Sequence, residues 1–263
     1  ETVKKLVDEF DKLSNQICTV GLGIPGFSSK ETGLVTNANS MWLNDKPFKK
    51  DLETALKREV KLMNDANCFT LSEAVDGAGK DYQSIFGIIV GTGFGGALSY
   101  KKEIIEGANQ IAGDWGHQPL PYPTKEEIET KINCPSMNCG RPLCAEQFMS
   151  GIGFKDVFNQ KHNTNFSSEE IVQLDLDGDP RASLELSLYE DRMARLMAVM
   201  IGIFDPDAVI LGGGMSNIDR LYKNIPVLIP KYTFSNKVIT KVIKNFHGDS
   251  SGVRGAAWLW NNV

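Results

Sequence analysis

Val3, Leu6, Val7, Phe10 and Leu13 recur at three- and four-residue spacing, so residues 1–15 open the chain with one apolar helical face. The pattern then shortens. Residues 17–23 form an apolar run ending in Gly23-Ile24-Pro25-Gly26, which reads as a buried strand entering a turn. A loop rich in Ser, Gly and Asn fills 27–44, and helical spacing returns over 50–60 through Leu52, Ala55 and Leu56. A short strand is predicted at 61–63 and a helix at 66–75, with Asn64 and Asp65 between them.

Residues 85–90 are a continuous Ile/Val-rich run, the mark of a strand covered on both faces. Gly91-Thr92-Gly93-Phe94-Gly95-Gly96 follows, then a strand at 97–100, the polar turn Lys101-Lys102 and a returning strand at 103–105. Residues 107–146 are loop-rich. Ser167, Ser168, Glu169 and Glu170 start a helix, Pro180 sits in the first turn of a long helix to Phe204, and Asp205-Pro206 closes it. A buried strand at 208–211 runs into Gly212-Gly213-Gly214, and 252–260 is a small-residue helix. Strands alternating with helices predict α/β architecture.

At 263 residues, with 41% apolar and 23% charged, the chain can bury one large core or two modest ones. A net charge of −5 gives no basic footprint, so nucleic acid is not expected as a partner. No apolar run reaches bilayer length and no signal-peptide pattern opens the chain, so no membrane partner is expected. The five cysteines are odd in number, and three crowd into 134–144. That distribution suits metal ligation in a reducing compartment, and the cytoplasm is the expected location. The chain begins with Glu1 on a mid-domain helix, so it is expected to be the retained part of a longer protein.

Gly91–Gly96 formally satisfies G-x-G-x-x-G, yet a hairpin pattern follows where a dinucleotide fold needs a helix. A P-loop is excluded for want of its Lys-Ser/Thr ending. What remains is a strand-to-hairpin turn whose N–H groups can cradle phosphate oxygens, with a hydroxyl from Thr92, or a plain glycine turn. Gly212–Gly214 likewise offers a nucleotide a close approach at a strand end, or merely a bend. Asp65 has two readings: a helix cap, or a general base for a sugar hydroxyl. His117 with Cys134, Cys139 and Cys144, spaced H-x16-C-x4-C-x4-C, forms a four-ligand set of structural zinc type, buried free thiols being the alternative. His162 and His247 are assigned no metal role.

These blocks together resemble the ROK group of bacterial sugar kinases and sugar-responsive repressors. The resemblance rests on Gly23–Gly26, Asn37-Ala38-Asn39 with Trp42, Asn64-Asp65-Ala66-Asn67, Gly91–Gly96, Ala112–His117, Cys139–Glu146, Gly212–Asn217 and His247–Ala257. The last block and the Asn-Ala-Asn…Trp-Leu-Asn loop look most like the fructokinase (manno-fructokinase) branch. The resemblance implies a two-lobed actin-like/hexokinase-like ATPase fold of ribonuclease H-like type. Its small lobe would be 1–97, amino-terminally incomplete and completed by helix 252–263; its large lobe would be 98–251, with the zinc loop.

By the family pattern Asp65 is the catalytic base, while Asn39, Asn64, Asp114, His117 and Glu146 surround the sugar. Gly91, Thr92 and Gly93 would face the phosphates of ATP, and Gly212, Gly213, Gly214 and Met215 the nucleotide. Mg2+ would accompany ATP, and Zn2+ would sit on His117, Cys134, Cys139 and Cys144. A homodimer is also implied. Three departures stand out. The Asp-x-Gly-Gly-Thr strand that opens the family is missing, and a chain from which it is truly deleted is expected to have little activity. Asp114 replaces the usual Glu. The usual Cys-x-Cys-Gly is Met137-Asn138-Cys139-Gly140, which leaves the fourth ligand to Cys134.

The expected function is ATP-dependent phosphorylation of a hexose, fructose first, with N-acetylhexosamine or glucose as alternative acceptors. A reading from another class is the non-catalytic sugar-sensing domain of a repressor.

Overall fold

The computed structural model describes residues 1–130, 132–135, 139–235 and 237–260. In chain order, α1 (Thr2–Ser14) leads to β1 (Val20–Ile24), the small pair β2 (Phe27–Ser28) and β3 (Val35–Thr36), α2 (Phe48–Leu56), β4 (Val60–Asn64) and α3 (Asp65–Val75). A meander of β5 (Ser84–Val90), β6 (Phe94–Tyr100) and β7 (Glu103–Ile104) follows. Next come α4 (Lys125–Glu129), α5 (Ala145–Met149), α6 (Gly151–His162), α7 (Ser168–Leu176) and α8 (Pro180–Phe204). β8 (Ala208–Gly212), α9 (Arg220–Leu228), β9 (Lys241–Lys244) and α10 (Ser251–Trp258) end the order.

The main sheet runs β7-β6-β5-β8-β9, with β5 antiparallel to β6 and parallel to β8, and β8 parallel to β9. β1 and β4 form a separate parallel pair. Alternation inside the two apolar runs explains their burial. Phe86, Ile88, Val90, Val209 and Leu211 enter the core built with Met193 and Met197 of α8, while Ile85, Ala208 and Ile210 meet Phe69 and Ala74 of α3.

α3 is buried along its whole length from Ala66 to Val75. Glycines let its neighbours come this close. A methyl group on Gly87 would stand 2.0 Å from Thr70 Oγ1, and one on Gly255 of α10 would stand 1.7 Å from the Cys68 carbonyl. Helix α3 is therefore clamped between the sheet and α10, with Phe69 alone burying a side chain worth about 2 kcal/mol. Residues at its first turn inherit that rigidity.

Several expectations shift. The glycine turn is only 91–93: Val90 pairs with Phe94, so Gly95 and Gly96 are strand residues, Gly96 lying against Phe86. Residues 97 and 98 lie within β6, which shares a sheet with β5, β8 and β9. The first strand starts at Val20, not 17, because left-handed Asn15 ends α1 and the Cys18 N–H turns back to donate to Asp11 Oδ1 at 2.8 Å. Of the α1 stripe, Val3 and Val7 pack against Val20, Leu52, Leu56 and Val60, while Leu6, Phe10 and Leu13 stay exposed. The long helix begins at Pro180 behind an Asp179 cap and stops at left-handed Asp205, as the pattern predicts. Among the described residues, no helix is long and apolar enough to cross a membrane.

Candidate active site

The strand β4 delivers Asn64 and Asp65 to the start of α3. Asn64 is the cap: its Oδ1 accepts from Ala66 N at 2.9 Å and Asn67 N at 3.3 Å. That leaves Asp65 with two backbone donors, Ala66 N at 2.8 Å and its own N–H. The tip of Asp65 is open to solvent, but protein crowds its carboxyl. Desolvation dominates and raises its pKa above the usual carboxylate value, against the pull of the Ala66 N–H and the Asn64 side chain. Among the described residues no cation offsets the shift. A carboxylate so placed is a better proton acceptor than one in water.

The turn after β1 gathers two further polar groups around Asp65. Asn64 Nδ2 donates to Gly26 O at 3.4 Å, and Asn39 N donates to Pro25 O at 3.0 Å. Only glycine fits at 26, because a methyl there would lie 2.8 Å from both Ala38 Cα and Thr36 O. Asn39 and Asn64 therefore bond the same turn, and Asp65 follows Asn64 in the chain.

Because β5 and β8 are parallel, both glycine turns leave the same edge of the sheet. They touch: Gly213 has φ +81, and a methyl on it would stand 2.4 Å from Val90 O and 3.0 Å from Gly91 N. Gly151 N donates to Gly91 O at 2.7 Å and pins the first turn from the α6 side. Thr92 and Gly214 are exposed on this edge, whereas Met215 buries its side chain in the main core and leaves only backbone for a nucleotide. A methyl on Gly95, two residues past the turn, would lie 3.9 Å from Ala66 Cβ, so the start of α3 faces the start of β6.

The loop carrying Asp114 and His117 lies on β6 as well. A methyl on Gly113 would be 2.6 Å from Ala97 Cα, and one on Gly116 would be 1.8 Å from Phe94 O. Trp115 packs between Phe86 and Phe94 with both ring centroids at 5.0 Å. Residues 116–120 then run alongside 143–146, through Leu120 N to Leu143 O, Ala145 N to Gln118 O and Glu146 N to Gly116 O, each at 2.8 Å.

This pairing sets His117 beside Cys144, with Nδ1 and Sγ 3.5 Å apart. Cys134 and Cys139 complete the set, and all four ligand atoms lie within 4.8 Å of one another. A tetrahedron with zinc–sulfur bonds of about 2.3 Å has edges of roughly 3.8 Å, so the four residues fit a zinc ion. Burial pushes the Cys144 thiol up to about 11. Buried Glu146 accepts from Phe94 N at 3.1 Å and from Cys134 Sγ at 3.6 Å, tying the cysteine loop to the first glycine turn. Met137 and Asn138 lie outside the described residues.

A family model described as ROK matches residues 1–263. The chain belongs to the ROK family. The N-acetyl-D-glucosamine kinase of Vibrio cholerae serotype O1 is 38% identical over 259 residues, covering 98% of this chain and 86% of that one. Among solved structures, a ROK hexokinase from Thermus thermophilus superposes with a TM-score of 0.82 at 23% identity, over 97% of this chain and 83% of that one. A ROK transcriptional regulator, a homologue of the E. coli MLC protein, superposes at 0.78 with 19% identity, over 97% and 66%. Both likenesses concern the fold, which enzymes and regulators share. The expected fructokinase placement is not supported: relatives at 35–38% identity are N-acetyl-D-glucosamine kinases.

Two residues of this ROK chain organise the site although the sequence reading gave neither a functional role. Asn44 makes two hydrogen bonds to Ala38, next to Asn39. Glu73, fully buried at the far end of α3, accepts from Ala78 N, Phe246 N, His247 N and Ser251 Oγ at 2.8–3.3 Å. A lone acidic residue late in a helix gives no sequence signal of that hub. A cavity of about 300 Å³ beside Asn64, lined also by Phe27, Asn67, Glu106 and Gln110, does not include Asp65.

Proposed function

We propose that this protein transfers the γ-phosphoryl group of ATP to a hydroxyl of an N-acetylhexosamine, N-acetylglucosamine first, with Asp65 taking the hydroxyl proton. The enzyme class is ATP-dependent sugar kinase, a phosphotransferase with an alcohol acceptor. The N-acetylated acceptor rests on the 38% identity with the V. cholerae kinase and replaces fructose as the first candidate. Phosphoryl transfer asks for positioning, charge neutralisation and one acceptor for the nucleophile's proton. The contact between Gly213 and the Val90–Gly91 peptide carries the reading, since it joins two glycine turns into one edge beside α3.

In this scheme Gly91, Thr92 and Gly93 hold the phosphates, and Gly212, Gly213, Gly214 and the Met215 backbone hold the nucleoside side. Asn39, Asn64, Asp114, His117 and Glu146 orient the sugar. Mg2+ would accompany ATP and offset charge that Asp65 repels. Zinc on His117, Cys134, Cys139 and Cys144 would fix the loop that presents His117. With β5 and β6 in the main sheet, we place the lobe boundary between α3 and β5.

A coupled ADP-release assay over N-acetylglucosamine, N-acetylmannosamine, glucose and fructose tests the acceptor. N-acetylglucosamine is expected to give the highest kcat/KM, and a clear preference for fructose would sink that choice. Elemental analysis is expected to find about one zinc per chain. A folded, active, metal-free sample removes the zinc claim.

A further inference from the structure

The loop between β3 and α2 is a small closed unit. Its neck is held by Asp45 N to Val35 O at 2.9 Å and Val35 N to Lys46 O at 3.0 Å. Inside it, Asn44 acts as a strand would. Its Oδ1 accepts from Ala38 N at 2.8 Å and its Nδ2 donates to Ala38 O at 3.1 Å. Asn37 is left-handed at φ 55, and Asn39 is fixed by its own N–H on Pro25 O at 3.0 Å. The backbone on both sides of Asn39 is thus pinned, while its side chain is exposed and turned to solvent. Such an arrangement presents an amide rather than packing one.

We propose that Asn44 is a positioning residue for sugar binding: its two-point grip on Ala38 sets the angle at which Asn39 meets the acceptor sugar. This rests on the reading of Asn39 as a sugar ligand. Asn44 touches no substrate; it acts through Ala38. Losing the grip lets the 37–39 segment sample other orientations, so the cost falls on sugar binding, equally in ground and transition states.

The test compares Asn39→Ala, Asn44→Ala, Asn44→Asp and the Asn39→Ala/Asn44→Ala double variant on the full chain, using the best acceptor of the hexose panel. Thermal melts confirm that each variant is folded at assay temperature. Asn44→Asp retains the acceptor for Ala38 N–H and opposes a carboxylate oxygen to Ala38 O, so it probes the donor half without a cavity. For either Asn44 variant the sugar KM is expected to rise about tenfold, with kcat within about threefold and the ATP KM within about twofold. On the Asn39→Ala background, Asn44→Ala is expected to add less than about twofold. If Asn39→Ala leaves the sugar KM unchanged, the Asn39 reading fails and takes this proposal with it. If Asn39→Ala raises KM but the Asn44 variants do not, or their effects multiply in full, the positioning role alone is overturned.

Discussion

Two crowded carboxylates, Asp65 and Glu127, have opposite fates. Asp65 stands at the start of α3 with two backbone N–H groups and, among the described residues, no cation, and desolvation raises its pKa. Glu127 lies at the α4–α8 contact, where Arg195 Nη2 donates to Oε1 at 2.7 Å and Arg192 Nε at 2.8 Å, with Thr124 N on the other oxygen. Burial alone would raise Glu127 too, but the Arg195 bond, the Thr124 N–H and Arg192 outweigh it and hold the group below its usual value. Crowding without a counter-charge makes a proton acceptor; burial with two guanidiniums makes a fixed anion. In the proposed function the first takes a proton, while the second fastens α4 to α8.

That contrast predicts where mutations act. Asp65→Asn should lower turnover by about 10²- to 10⁴-fold while sugar affinity, read by calorimetry, changes little. Near-normal turnover would remove the base assignment. Its folded pKa lies above 3.8, so ionised Asp65 costs stability at neutral pH and protonation relieves it as pH falls. The amide variant should therefore melt no lower than the parent at neutral pH, and the acid limb of kcat/KM should lie above pH 3.8.

Glu127→Ala should do the reverse, costing up to about 3 kcal/mol in urea unfolding because two buried guanidiniums lose a shared carboxylate, Arg192 keeping Glu185 and Arg195 keeping Asp191, with kcat of the folded fraction retained. Its folded pKa is depressed below 4.5, so the contribution is complete above that pH and lost as pH falls through the folded value. The parent should show an acid loss of stability in that window that the variant lacks.

Glu73→Ala strips the acceptor from three backbone N–H groups and Ser251, and should cost about 3 kcal/mol. A smaller effect is expected at Gly213→Ala. Left-handed φ and the 2.4 Å approach to Val90 O should cost about 1–3 kcal/mol and raise the ATP KM more than the sugar KM. Equal effects on both would separate this turn from the nucleotide.

Much of the architecture was legible. The strands at β5 and β8 follow from unbroken Ile/Val runs, and the bounds of α8 follow from Pro180 and Asp205-Pro206. Other elements gave no signal. α9 runs through Pro226, a residue type that disfavours helix interiors, and the glycines at 95 and 96 looked like turn yet serve as thin strand residues under neighbours. Glycine reports that space is short, not which neighbour takes it. The capping role open to Asp65 fell to Asn64, a choice between adjacent residues that only the entry angle of α3 could settle.

What the sequence determined by itself was local chemistry: which residues can ligate a metal, take a proton or bare their backbone, and which runs must be buried. These follow from side-chain composition and periods of 2.0 and 3.6, and need no partner. The tertiary structure decided which of them meet. It set residues 116–120 beside 143–146 so that His117 reaches the cysteines, pressed Gly213 onto Val90, and left Asp65 uncompensated while giving Glu127 two arginines. Desolvation and proximity depend on groups far apart in the chain, and only the packed backbone brings those together.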